Sequence, residues 1–354
     1  ITAKKLATDV FCHIRKKKMK YVNFGLGGVK VSPIALGLGF RGQTDPADGI
    51  RTINRAIDLG INLIDCANVY GFGDVRENAG TSEELLGRVL QTRRNEVVIT
   101  SKVCSEVGTG PNDYGLSRYH IINQCEKSLS RLNTDRIDVY LFHMSDEETL
   151  KDEQFRALDD LIKQGKVLYG GVCNYQAWQV VEAINIQTSA SAQPLITAQN
   201  PYNLLNRQLE DEFFPMVKKT GIGIMAYSPL AVGLLSGLYL PGKPAPQGSL
   251  WATVRKDLYQ SYMRGQVAKI ISEVQSVANE LNATMAQVAL SWVLSHPEIT
   301  VAISGSDTAE HLDDVVSSAE IALPIELREK LSNVSKGLRL DLDFGIGEGL
   351  DVLE

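Results

Sequence analysis

Eight short apolar runs recur along this chain, and stretches with apolar residues at three- and four-residue spacing lie between them. The runs are PIALGL, INLID, EVVITS, IDVYLF, LYGGVC, LITAQ, IGIMAY and ITVAIS. The intervening patterns include SEELLGRVLQ, INQCEKSLSRL, EQFRALDDLIKQG and AQVALSWVLS. Runs of this length and composition predict strands, and the spacing between them predicts amphipathic helices. Eight such units predict an α/β chain folded as a closed (β/α)8 TIM barrel rather than an open sheet. A length of 354 residues with 44% hydrophobic content suits one large core of this kind better than two small domains.

Punctuation around the repeat sets its edges. Residues 21–24 and 29–31 flank LGG and predict a β-hairpin ahead of the barrel. After the seventh run, YLPGKPAPQGSLW exceeds an ordinary connection, so an extended, mobile loop over the barrel mouth is expected there. The barrel domain is expected over residues 19–336, followed by a tail, 337–354, in which the stretch RLDLDFGIGEGLDVLE has no clear period. Residues 1–18 end in the basic stretch HIRKKK without the apolar segment of a signal peptide. They are expected to be an upstream or expression-derived extension without order of its own.

Charge and cysteine usage narrow the function classes. Lys and Arg number 36 against 42 Asp and Glu, a net charge of −6, which disfavours a nucleic-acid partner. Five cysteines form no CxxC pair and leave an odd number, which argues for a reducing, cytoplasmic setting. No apolar run approaches the roughly 20 residues of a membrane span. The five histidines show neither HxH nor HExxH spacing, so no metal is expected.

One glycine pattern is a decoy. Gly37, Gly39 and Gly42 spell GxGxxG directly after a strand, the written form of a dinucleotide fingerprint. In that fingerprint the glycines open the helix at once, whereas here QTDPADG intervenes and the helix is expected to begin near Pro46. Eight units also overfill a six-stranded doubly wound sheet.

Three of the runs end on reactive residues. INLID ends on Asp65, with Tyr70 five residues on; EVVITSK ends on Lys102; IDVYLFH ends on His143. In a barrel the ends of the second, third and fourth strands are neighbours at the C-terminal face, so the four residues converge on one pocket. A tyrosine titrates near pH 10 and is a poor acid or base at neutrality. A lysine about 4 Å away, at an effective dielectric near 20, favours the phenolate by about 4 kcal/mol before desolvation. The Tyr70 pKa is therefore expected to fall toward the working range. Asp65 is expected to keep Lys102 charged and aimed, and neutral His143 to donate a hydrogen bond to a carbonyl oxygen. Singly, each has an ordinary reading as a turn aspartate, a solvated lysine, a loop tyrosine or a core histidine. Their order on consecutive strand ends is what points to chemistry.

From residue 19 to about 331 the chain resembles the aldo-keto reductase family. The matching segments are GINLIDCANVYGFG with TSEELLGRVL, VITSKV, DVYLFHMSD, GVCNY, QNPYNLLNR, AYSPLAVGLLSG and ISGSDTAEHLDD. The resemblance implies hydride transfer between NAD(P)H and a carbonyl, with Asp65, Tyr70, Lys102 and His143 as catalytic tetrad and Tyr70 as proton donor in reduction. It also implies that Asn174 and Gln199 bond the nicotinamide carboxamide, that Tyr227 stacks on its ring, and that Ser228 and Leu230 meet the pyrophosphate. Gly39, Phe40 and Asp65 complete that side of the cofactor site. Cys173 stands where the family commonly has serine, a weaker donor.

The family pattern is broken after the eighth run. Ser304, Gly305 and Ser306 lead into a helix whose N-terminus offers N–H groups to the adenosine end. Many relatives place arginine or lysine next, to bind the 2′-phosphate of NADP, whereas this chain has Asp307, followed by His311 and Asp314. Asp307 with Glu310 three residues on reads as a helix N-cap with its capping-box partner. A carboxylate also repels a 2′-phosphate, so NADP, the family's usual cofactor, is expected to be weakened and NAD accepted.

The expected partner is a small-molecule carbonyl or alcohol such as an aldehyde, ketone or sugar, with neither nucleic acid nor membrane, for a monomer or weak homo-oligomer. Phe40, Tyr114, Trp251 and residues 231–262 are candidates to line the substrate pocket. The resemblance extends to potassium-channel beta subunits, so a cofactor-binding regulatory or partner-binding protein stands as the alternative to a reductase.

Overall fold

The computed structural model describes residues 19–340 and 342. Residues 1–18 and most of the tail lie outside the described residues. Two short antiparallel strands, β1 (Val22–Asn23) and β2 (Lys30–Val31), form the expected hairpin. Eight parallel strands then close into a barrel: β3 (Ile34–Gly37), β4 (Leu63–Asp65), β5 (Val98–Val103), β6 (Ile137–Phe142), β7 (Val167–Cys173), β8 (Thr197–Pro201), β9 (Gly223–Tyr227) and β10 (Ile299–Ser304). Each strand pairs with the next in sequence, and β10 pairs with β3 to seal the ring. The sixth barrel strand starts two residues later than LITAQ and so takes in Asn200 and Pro201.

Single helices follow the first six barrel strands: α1 (Pro46–Asp58), α2 (Thr81–Arg93), α3 (Arg118–Leu132), α4 (Lys151–Lys163), α5 (Ala177–Ser189) and α6 (Phe213–Thr220). Between β9 and β10 lie α7 (Lys256–Tyr262), α8 (Gln266–Leu281) and α9 (Met285–Leu294), while α10 (Ala309–Val315) and α11 (Ile325–Val334) follow β10. Local chemistry sets the starts. Asp45 caps α1 by accepting from Ala47 N at 2.8 Å with Pro46 in the first turn, so the GxGxxG segment opens no helix. The closed ring excludes the doubly wound reading outright.

Strand alternation builds two apolar layers. Val139 and Leu141 point into the barrel with Leu63, Val98, Met225 and Val301, and Phe24 of the hairpin packs in the same cluster. Tyr140 and Phe142 point outward to the helices. The long segment after β9 is not a bare loop: Leu234, Leu235, Tyr239, Trp251 and Tyr259 are buried in the outer core. Among the described residues no helix is long and apolar enough to cross a membrane.

Candidate active site

The same alternation aims β5 at the mouth. Ile99 and Val103 face the helices, and Ser101 bonds the buried carboxylate of Glu83, so Thr100 and Lys102 face inward. Lys102 has no exposed surface, and its ammonium has three N–H groups with three acceptors: Asp65 Oδ2 at 2.7 Å, Cys66 O at 3.0 Å and Tyr70 Oη at 3.2 Å. Asp65 is held in turn by the Thr100 hydroxyl and by Gln199 Nε2 at 2.9 Å. A buried ion pair persists only with such support, because desolvation of both charges opposes it.

Tyr70 arrives from the loop after β4. Its N–H donates to Ala67 O at 3.2 Å and its carbonyl accepts from Ser82 N at 3.1 Å. Next to it, Gly71 runs so close to the Asn78 carbonyl that a Cβ would lie 1.9 Å from that oxygen. His143 follows β6, anchored by its N–H on Val103 O at 2.7 Å. Its Nε2 is 3.4 Å from Tyr70 Oη, and the two rings meet edge to face. Its Nδ1 is 3.3 Å from Ser105 Oγ. The structure therefore brings Asp65, Tyr70, Lys102 and His143 together.

One electrostatic expectation is corrected. Burial pushes the Tyr70 phenol well above its ordinary value, and the opposing pull of Lys102 does not overcome it, with Asp65 and Cys173 adding to the rise. The phenol stays protonated at neutral pH. Burial works against the Lys102 ammonium, yet Asp65 and then Tyr70 hold it above its usual value. His143 is kept neutral by burial first and by Lys102 second.

Around this cluster the strand ends carry strained backbone. Phe40, Asn174 and Ser228 have φ of 50°, 59° and 51°, followed by Ala231 at 52° and Val232 at 53°. Such conformations cost on the order of 1–3 kcal/mol each in non-glycine residues and gather where function over-determines the backbone. Asn174 donates from Nδ2 to His143 O at 3.0 Å and accepts from Tyr227 Oη at 2.7 Å. Gln199 accepts from Cys173 Sγ at 3.5 Å while bonding Asp65. Ser228 O accepts from Asn203 Nδ2 at 2.9 Å, and Leu230 packs on the outer core. Phe40 packs against Phe72 with centroids 5.3 Å apart and the rings tilted at 44°.

The β10 end corrects a second expectation. Thr308, not Asp307, caps α10, accepting from His311 N at 3.3 Å. The Asp307 carboxylate instead accepts from Gly42 N at 3.2 Å, and its carbonyl accepts from Gln43 Nε2 at 2.7 Å, clasping the loops after β3 and β10 together. Because α10 begins at Ala309, Thr308 holds the N-cap position and Asp307 lies one residue outside the helix. Burial raises its pKa, against Gly42, His311 and Arg41. His311 is exposed, and Asp314 turns toward α9, accepting from Thr284 Oγ1 at 3.1 Å and Gln287 Nε2 at 3.2 Å. Ser304 and Ser306 join hydroxyls at 2.8 Å. Trp251 is 1% exposed, with Nε1 on Val232 O at 2.9 Å, so it packs inward; Tyr114 is half exposed.

Residues 33–336 match the Aldo/keto reductase family. The chain belongs to the aldo/keto reductase family. This aldo/keto reductase is 36% identical over 327 residues to an uncharacterized oxidoreductase of Bacillus subtilis (strain 168), covering 90% of this chain and 97% of the relative. It is 32% identical over 310 residues to a probable voltage-gated potassium channel subunit beta of Arabidopsis thaliana, covering 86% and 92%. A putative subunit beta of Schizosaccharomyces pombe is 30% identical over 345 residues, covering 94% and 98%. These matches support an oxidoreductase that uses NAD(P)H on a small molecule. Beyond the paired strands β3 and β10, a Cβ at Gly39 or Gly305 would meet nothing within 4 Å, so the backbone there is open to close approach.

Sequence reading missed Thr100, Ser105 and Gln43. Thr100 was recoverable, since it lies two residues before Lys102 on one strand face. Ser105 and Gln43 act through loop geometry that no spacing announces.

Proposed function

We propose that this aldo/keto reductase transfers a hydride between a nicotinamide cofactor and the carbonyl carbon of an aldehyde, ketone or sugar, with Tyr70 as general acid or base. The observation that carries this reading is the Tyr70 hydroxyl flanked by Lys102 Nζ at 3.2 Å and His143 Nε2 at 3.4 Å. When bound, reduced nicotinamide supplies the hydride to the carbonyl carbon. Tyr70, protonated at neutral pH, gives its proton to the carbonyl oxygen, and the phenolate left behind is stabilised by the Lys102 cation. Asp65 acts through Lys102, and neutral His143 sits edge-on beside the phenol, with Nε2 3.4 Å from its hydroxyl. In the reverse direction the phenolate takes the alcohol's proton, so oxidation is favoured at alkaline pH.

On this reading Asn174, Gln199 and Tyr227 surround the nicotinamide, Ser228 and Leu230 meet the pyrophosphate, Gly39 and Phe40 approach the cofactor from the loop after β3, and residues 304–307 with His311 face the adenosine end. Asp314 faces α9 and acts on that end through the helix. Asp307 puts a carboxylate where a 2′-phosphate is unwelcome, so NADH is used at least as readily as NADPH.

The channel-subunit relatives favour a second reading, a cofactor-binding regulatory protein. Initial rates of NADH and NADPH oxidation, measured in parallel with an activated aromatic aldehyde, separate the two. Turnover with either supports the reductase. Tight binding of both cofactors without turnover across a panel of aldehydes, ketones and sugars supports the second reading.

A further inference from the structure

The hydrogen bonds of the tetrad leave one proton direction to be settled. Tyr70 Oη carries one proton and accepts up to two hydrogen bonds. Lys102 fills one acceptor position, because a cationic ammonium only donates. The phenolic proton then points either at His143 Nε2 or out into the mouth, and the tautomer of His143 decides which.

Ser105 bears on that tautomer. After β5 the chain turns sharply at Cys104, whose φ is 141°, and Gly115 N pins the Cys104 carbonyl at 2.8 Å. The turn brings Ser105 back over the ring of His143, with Oγ 3.3 Å from Nδ1. Ser105 is 3% exposed, and among the described residues His143 is the hydrogen-bond partner of its hydroxyl. A buried O–H left without an acceptor costs about 1–3 kcal/mol, so the hydroxyl donates to Nδ1. A neutral imidazole that accepts at Nδ1 carries its proton on Nε2. That N–H faces Tyr70 Oη and fills its second acceptor position.

We propose that Ser105 is a positioning residue: it fixes His143 as the Nε2–H tautomer and thereby turns the Tyr70 proton away from the histidine and toward the bound carbonyl. Its effect on turnover rests on Tyr70 being the proton donor; its effect on the histidine does not. Without the hydroxyl, Tyr70 can donate to Nε2 and the Nδ1–H form becomes competitive, which holds the acid's proton where no substrate reaches it.

The test is nitrogen-15 NMR of histidine-labelled protein without cofactor, in which two-bond proton correlations show which ring nitrogen of His143 is protonated. The wild-type protein is expected to show Nε2–H. Ser105→Ala is expected to shift the ring toward Nδ1–H and to lower kcat for carbonyl reduction about tenfold, the scale of one hydrogen bond, with the Kd for NADH unchanged. Ser105→Thr, which keeps the hydroxyl, restores both. An Nδ1–H ring in the wild-type protein overturns the proposal without recourse to any variant, as does a Ser105→Ala protein with tautomer and kcat both unchanged. An Nε2–H ring in a protein that reduces no carbonyl upholds the tautomer assignment and counts against the proposed function alone.

Discussion

Lys102 Nζ lies 3.2 Å from Tyr70 Oη and 4.4 Å from the centroid of the same ring, so one cation touches the phenol oxygen and covers the ring face. With Asp65 Oδ2 at 2.7 Å on its other side, the lysine is fixed between a carboxylate and the phenol that the proposed mechanism uses as acid. The arrangement leaves the resting phenol protonated and sets a cation beside the oxygen that, on the proposed mechanism, gives up its proton.

Lys102→Met removes the group that pulls the Tyr70 pKa down and leaves Asp65 buried beside an apolar chain. Reduction is expected to slow by a factor of about 100 or more, and the alkaline rise of alcohol oxidation to move to still higher pH. Breaking a buried pair in this way destabilises the fold by about 3–5 kcal/mol. Rate–pH profiles and urea midpoints check the two effects separately; an unshifted oxidation profile would sink the electrostatic role.

Gly71→Ala tests the loop that presents the acid. A Cβ there would lie 1.9 Å from the Asn78 carbonyl, a backbone atom that cannot rotate aside, so the segment carrying Tyr70 must move. A displacement of about 1 Å is expected to cost up to about 100-fold in kcat, while cofactor affinity changes little. Parallel kcat and fluorescence titrations decide it, and a fully active variant would show that the loop is not the determinant of Tyr70 position.

Much of this was legible beforehand, and the reasons differ by residue. The eight strands and the placement of Asp65, Lys102 and His143 on their ends follow from period and order, which sequence displays directly. Tyr70 followed from its distance after Asp65. The direction of its pKa did not, because burial depends on what three-dimensional packing does to a loop, and that term outweighs the visible lysine. Asp307 and Thr308 are both good caps by residue type, and the sequence does not show that α10 begins at Ala309 and so takes Thr308.

Asp307→Asn removes the charge at the β10 end while keeping an oxygen able to accept from Gly42 N. The ratio of kcat/KM for NADPH to that for NADH is expected to rise by about three- to tenfold, with the clasp and the melting temperature preserved. Steady-state kinetics with both cofactors measures it. An unchanged ratio would remove Asp307 from cofactor choice and leave it as the strap between the two loops.

Acid is expected to destabilise the fold through its buried histidines. His120, His143 and His296 are each held below their ordinary pKa, first by burial. A histidine depressed in the folded state binds its proton first in the unfolded chain. Its stability contribution is therefore complete above the unfolded value near pH 6.5 and is lost as pH falls below it, by at most about 1.4 kcal/mol per pH unit for each histidine. Urea midpoints at pH 7.5 and 5.5 are expected to differ, and His143→Asn to narrow the gap; equal midpoints would contradict the assignment.

The most direct measurement is single-turnover carbonyl reduction by Tyr70→Phe alongside cofactor titration of the same protein. Loss of the phenolic proton is predicted to slow the chemical step by about 100- to 10,000-fold while the Kd for NADH and NADPH stays within about twofold of wild type. A variant that binds cofactor and reduces the carbonyl at the wild-type rate would contradict Tyr70 as the acid, and the mechanism with it.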